Sequence, residues 1–178
     1  MRTSQKSLLV ALAGAALVLE ANAQSAASTS IVLGGGFTSL TSNSRELRRP
    51  GAHAQVGVER GVRSYLSDRV RLELSYHSIE GVASPFLGTP RSSMWIAAIS
   101  AIREIGSVKR FRPYVIGGVG GISLDQGGGR EWHANVAGGV GVLSPRVGRA
   151  RVFVEGRFSR ALTGEPNSFI PWTLGVLF

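Results

Sequence analysis

From Ser30 to its last residue the chain carries a succession of segments, most of which alternate between apolar and polar positions with a period of two. The clearest run comes last, where Ile170, Trp172, Leu174, Val176 and Phe178 share one parity. Successive side chains of a strand point to opposite faces, so this spacing lines five apolar groups along one side of an extended segment. The stretch 69–77 repeats the pattern, with Val70, Leu72, Leu74 and Tyr76 opposite Arg71, Glu73, Ser75 and His77. Read this way, the sequence predicts eight strands, at 30–39, 52–63, 69–77, 93–104, 111–124, 131–143, 149–159 and 168–178. Segments rich in Pro, Gly and polar residues separate them.

Parity also assigns the faces. Ile31, Leu33, Gly35 and Phe37 fall together, and Ala54, Val56 and Val58 oppose His53, Gln55, Gly57 and Glu59. Trp132, Ala134, Val136, Val140 and Val142 share a face in the sixth strand. Val152, Val154 and Phe158 oppose Arg151, Phe153, Glu155 and Arg157 in the seventh. The fourth strand is apolar at both parities. Grouping Arg103 with the other ions puts Ile96, Ala98 and Ile102 on its apolar face, and the fifth strand is expected to turn Tyr114, Ile116, Ile122 and Leu124 the same way.

Strands of about ten residues have the length of tilted membrane-spanning strands. An even number lets an antiparallel meander close without a free edge, which hydrocarbon demands. The connections after strands two, four and six are short, and three of the other four are longer. Long external loops and short periplasmic turns would put both mature termini in the periplasm. A soluble lipocalin-type barrel alternates too, but it would bury the apolar face and leave Arg71, Glu73, Glu155 and Arg157 in water. The terminal aromatic, the mid-strand ions and the loop asymmetry favour the membrane version.

The N-terminus fits export. Arg2 and Lys6 precede the apolar run Leu8–Leu19, and Ala21-Asn-Ala23 has the small-x-small form of a cleavage site. That run is shorter than the roughly 20 residues of a membrane helix. We therefore expect a signal peptide at 1–23, a short lead-in at 24–29 and a barrel at 30–178. The 24 glycines among 178 residues suit β structure, and the absence of cysteine excludes both lipidation and disulfides. Formal charge falls from +9 to +8 once the signal is removed. For an exported chain that excess points to anionic lipid head groups rather than nucleic acid.

Three segments carry a family resemblance: Arg112-Pro-Tyr-Val-Ile-Gly-Gly-Val-Gly-Gly121, Val152-Phe-Val-Glu-Gly-Arg-Phe158 and Pro171-Trp-Thr-Leu-Gly-Val-Leu-Phe178. Over essentially the whole mature chain the sequence resembles the eight-stranded OmpA/OmpX/opacity-protein type of outer-membrane barrel. The resemblance implies an all-β, up-and-down transmembrane barrel, a monomer in contact with lipid and lipopolysaccharide. It also implies that Trp172, Leu174, Val176 and Phe178 act as the signal read by the barrel-assembly machinery. No peptidoglycan-binding domain is expected after the barrel, a departure from full-length OmpA. The implied role is structural or surface-interacting, with a small low-conductance channel as the alternative and a soluble ligand-binding barrel as the third reading.

Candidate chemistry is sparse. Glu59, Arg71, Glu73, Arg103, Glu155 and Arg157 are expected to converge as an ion network in an interior just wide enough for side chains. Arg45, Arg48, Arg49, Arg91 and Arg130 are expected on loops facing lipopolysaccharide phosphates. His53 and His77 sit on neighbouring strands with His133 across the barrel, a spacing too weak for a metal site. His77, Ser78 and Glu80 alternate faces, so they do not form an activated nucleophile. No cofactor is expected. The glycine runs 34–36 and 127–129 lack the context of a phosphate loop.

Overall fold

The computed structural model describes residues 28–41, 50–62, 64–80, 91–106, 110–125, 130–162 and 168–178. The expected signal peptide and residues 24–27 of the lead-in lie outside the described residues, and Thr29 of the lead-in begins the first strand. Eight strands follow in order: β1 (Thr29–Leu40), β2 (Gly51–Gly61), β3 (Arg69–Glu80), β4 (Arg91–Glu104), β5 (Arg112–Asp125), β6 (Arg130–Leu143), β7 (Arg151–Ala161) and β8 (Ser168–Leu177). Each neighbour pairs antiparallel with the next, and β1 closes the barrel on β8 through registers such as Leu33 with Val176 and Phe37 with Trp172. All eight predicted strands are present, with ends shifted by no more than three residues.

At the loop end the strands run further than their patterns suggested, and at the terminal end several stop short, which weakens the loop asymmetry. The three connections at the end holding both termini span 62–68, 105–111 and 144–150, seven residues each. At the opposite, loop end the connections are 41–50, 81–90, 126–129 and 162–167, so only two of the four exceed seven. Arg91 and Arg130 belong to strands rather than loops. Each stands opposite an acidic residue in register, Glu80 and Asp125 respectively. Arg45, Arg48 and Arg49 lie outside the described residues.

The exterior carries the apolar parity in β1, β2, β3, β6, β7 and β8. Leu33, Val56, Leu74, Val140, Val154 and Leu174 are all exposed, the last at 60%. Aromatic rings band the barrel toward the loop end. Phe37 stacks on Trp172 at 6.4 Å, and Tyr76 meets Trp95 at 5.0 Å. Trp95 and Trp132 are register partners of Ser123 on either side, and Ser123 is buried between them. Tyr65 and Leu66 protrude from the β2–β3 turn at the other end.

In β4 and β5 the expected facing is reversed. Ile96, Ala98 and Ile102 point inward and are buried, as are Tyr114, Ile116 and Ile122, while Val115 and Val119 are exposed. Arg103 is outside, where it reaches the Ser64 and Tyr65 carbonyls and pairs with Asp68 at 3.4 Å. The physical reason is that the interior is not purely polar. Val32, Ile102, Tyr114, Ile116, Leu143, Phe153 and Leu177 form one buried apolar cluster, and Met94, Ile96, Ala98, Ile122, Ala161 and Phe169 form a second. Glycine makes room for two of the buried rings: a Cβ on Gly141 would overlap Tyr114, and one on Gly175 would overlap Phe153.

Candidate functional site

The interior is the place where chemistry-bearing side chains meet. Alternation on β2, β3 and β7 turns Glu59, Arg71, Glu73, Glu155 and Arg157 to the inside, and all five are buried. They form a chain of alternating sign that starts at the terminal mouth. Arg112 pairs with Glu104 at 3.3 Å, and Glu104 with Arg69 at 3.4 Å. Arg69 donates to Glu59, and the same carboxylate accepts from Arg71 Nε at 3.0 Å. Arg71 Nη1 then donates to Glu155 Oε2 at 3.2 Å. Arg157 completes the chain, donating to Glu155 Oε1 through Nε and to both oxygens of Glu73 through its fork. Four arginines and four glutamates are thus linked, with no net charge.

Every buried ion of the chain is paired, and most have more than one partner, which is what burial of charge requires. The apolar cluster helps hold the geometry. The Arg71 guanidinium lies over the Phe153 ring at 5.2 Å, and the Tyr114 hydroxyl donates to Glu155 Oε2 at 2.7 Å. Sequence reasoning found five of the eight ions. It missed Arg69, Glu104, Arg112 and the tyrosine, whose signal was available as the inward parity at each strand's terminal end. Replacing Tyr114 with Phe should cost about 1.5–3 kcal/mol, the worth of a buried hydrogen bond to a charge. Urea unfolding of the refolded barrel measures this, and an unchanged midpoint would mean that Glu155 is satisfied without Tyr114.

Toward the loop end the interior changes from ions to hydroxyls and imidazoles. His53 and His77 stack with ring centroids 5.0 Å apart. Thr38 Oγ1 lies 3.2 Å from His53 Nδ1 and 2.8 Å from His77 Nδ1. The outer nitrogens meet Thr173 Oγ1 at 2.9 Å and Ser75 Oγ at 3.0 Å. A hydroxyl has one proton, so Thr38 donates to one ring and accepts from the other, and two neutral rings here must be opposite tautomers. All four ring nitrogens are engaged by hydroxyls. Among the described residues no group of three His, Asp or Glu is placed to hold a metal ion. A cavity of about 30 Å³ separates this cluster from Arg157 and Glu73, water-sized and no more.

No protein-family model matches the chain, and no curated protein matches it in sequence. Solved structures do. The chain is similar to the crystal structure of Neisserial surface protein A (NspA), with a TM-score of 0.63 and 14% identity over 86% of this chain and 98% of that one. It is similar also to a major outer membrane protein from Thermus thermophilus, with a TM-score of 0.63 and 10% identity over 86% and 99% of the two chains. The fold is that of an eight-stranded outer-membrane barrel.

In this outer-membrane-barrel fold the remaining candidates separate. His77 points inward and Ser78 lies on the opposite parity, so the two do not form a nucleophile and base; the side chain of Glu80 lies outside the described residues. The serine that does bond His77 is Ser75, two residues before it, a same-face spacing that the sequence reading passed over. That pair is buried. His133, on β6, is only partly buried and makes no part of the Thr38-centred cluster. Trp172 and Leu174 are exposed on the exterior with Phe178, and Val176 shares their face.

Proposed function

We propose that this chain is an exported barrel of the bacterial outer membrane whose role is structural or surface-interacting: membrane integrity, adhesion or ligand contact through its loops. The observation that carries the reading is the inversion of polarity, an apolar exterior around a paired ionic interior. A soluble barrel would hold Leu174, Val140 and Val154 away from water, whereas here they form its outer wall. Closure through β1 and β8 leaves no unpaired edge, the condition for a sheet in hydrocarbon. Similarity in fold to two outer-membrane proteins supports the same location.

In this reading residues 1–23 are the export signal and both mature termini are periplasmic. The loop end faces outward toward lipopolysaccharide, and the aromatic band near it sits at the outer interface. The barrel works as a monomer. Trp172, Leu174, Val176 and Phe178 form the strand that the barrel-assembly machinery recognises. Outer-membrane fractionation together with heat-modifiable gel mobility tests the location; recovery in the soluble periplasmic fraction would overturn it.

The packed interior argues against the channel alternative. The ion chain and the two apolar clusters fill the cross-section, so a solute would have to displace Arg71, Tyr114 and Phe153, each under 2% exposed. Glu73→Gln loosens one link of the chain without removing volume. Planar-bilayer recordings should show no conductance for the parent protein or for this variant. Discrete openings in either would make the interior a gate.

A further inference from the structure

The terminal mouth of the barrel holds more positive charge than the ion chain uses. Arg69, Arg146, Arg149 and Arg151 line a cavity of about 60 Å³ there, with Ser28, Ser30, Glu59, Gly61 and Leu177. Glu59 is already shared by Arg69 and Arg71, and the nearby Glu104 by Arg69 and Arg112. No carboxylate among the described residues pairs with Arg146, Arg149 or Arg151. Arg151 Nε is buried without a hydrogen-bond partner, as is Arg69 Nε. An enclosed guanidinium N–H without an acceptor is costly, so the arrangement favours an acceptor beyond those that the described residues supply.

The β6–β7 turn that carries two of these arginines is fixed in shape. Val147 and Ala150 exchange backbone hydrogen bonds at 2.9 and 3.0 Å. Gly148, at φ +61°, takes the left-handed position between them that side chains disfavour. Ser144 Oγ accepts from Val152 N at 2.9 Å and ties the turn to the start of β7. Arg146 and Arg149 are therefore presented from a rigid two-strand tip over the mouth, while Arg151 and Arg69 point up from within the barrel wall.

We propose that this mouth binds a phosphate group through Arg146, Arg149 and Arg151, with the hydroxyls of Ser28 and Ser30 as additional donors. Phosphate matches the site in three respects. It is tetrahedral and accepts from several directions, as converging arginines and serines require. It carries the charge that the excess cations lack. Guanidinium forks bind its oxygens in pairs, with shorter and stronger bonds than neutral donors make. The cavity has room for a group of a few heavy atoms, not for a large ligand. The phosphate comes either from a soluble anion or from the head group of a neighbouring phospholipid. The site is defined by the chain's own side chains, and only the lipid source of the phosphate rests on the outer-membrane reading.

The test uses the full mature barrel, refolded in maltoside micelles free of phosphate and labelled for NMR of backbone amides and arginine Nε–H groups. Inorganic phosphate is titrated against chloride at matched ionic strength. In a second arm the barrel is placed in phosphatidylglycerol nanodiscs without free phosphate. The expected result is a saturable shift of Ser28, Ser30, Gly61 and the Arg151 Nε–H, with affinity about tenfold or more lower in R146Q/R149Q, the loss expected for contacts to a charged group. These two arginines are exposed on the turn, so the variant keeps the core intact. R160Q, which removes an equal kind of charge at the loop end, should leave the affinity unchanged. Saturation by free phosphate assigns a soluble ligand, and the same shifts in the nanodiscs alone assign a lipid head group. Shifts that match chloride, fail to saturate, or persist in R146Q/R149Q would overturn the proposal.

Discussion

Replacing Arg157 with methionine is expected to destabilise the folded barrel by about 3–5 kcal/mol, the cost of leaving a buried charge without its partner. Arg157 is the residue whose loss strands a neighbour most completely. Glu155 would keep Arg71 and the Tyr114 hydroxyl, and Glu59 would keep Arg69 and Arg71. Glu73 would keep only Arg71 Nη1, at 4.0 Å, beyond hydrogen-bond reach. It is 8% exposed, so water does little to replace the lost fork. The loss should therefore follow the charge rather than the volume. In E73Q/R157M the stranded group is a neutral amide, and most of the stability should return. Urea unfolding in detergent or lipid measures both variants. A loss under about 1 kcal/mol in R157M, typical of an exposed pair, would mean that the interior is wet.

The same interior explains what could be read from the chain and what could not. Strand number, order and approximate ends follow from the period of two, because each strand turns one consistent parity outward. Facing was legible where the inward parity carried charges near mid-strand, as with Arg71, Glu73, Glu155 and Arg157. It failed in β4 and β5, where both parities are mostly apolar or glycine, and where the interior positions Ile96, Ile102 and Ile116 fill volume instead of pairing charge. A barrel of eight strands must fill its interior with side chains, so polarity alone does not mark the inside. Arg103 misled because it lies at a strand end, where its side chain reaches a turn on the exterior. An anchor near mid-strand such as Ser100, which is 2% exposed, pointed the correct way.

Contacts across the barrel were beyond the reach of pattern. His53 and His77 could be placed on neighbouring strands, but nothing local announces that Thr38 of β1 sits between their rings or that Thr173 of β8 closes the set. Those partners come together only because β1 pairs with both β2 and β8, a closure in which residues 120 positions apart share one interior level. The aromatic band has the same origin. Tyr76, Trp95 and Trp132 lie on three strands and align through register, with Ser123 as the small residue between two of them.

Leu74→Arg separates the membrane barrel from the soluble one by the sign of its effect. Leu74 is the sixth of twelve residues in β3 and stands opposite Val56 and Ala97, on the apolar exterior at mid-strand. It is 41% exposed to whatever surrounds the barrel. If that surrounding is hydrocarbon, arginine there should cost about 2–4 kcal/mol near the midplane, while a charge placed close to either rim should cost roughly 0–1 kcal/mol. Arg160, exterior and close to the loop end, fits this depth rule in the natural sequence. If the surrounding were water, the same substitution would remove an exposed apolar group and leave stability near its original value or raise solubility. The measurement is reversible unfolding from lipid vesicles, read by heat-modifiable mobility and tryptophan emission. The interior hydrogen bonds are untouched by this change, so a loss of about 2–4 kcal/mol comes from the outer wall alone, and an unchanged barrel would mean that lipid does not surround it.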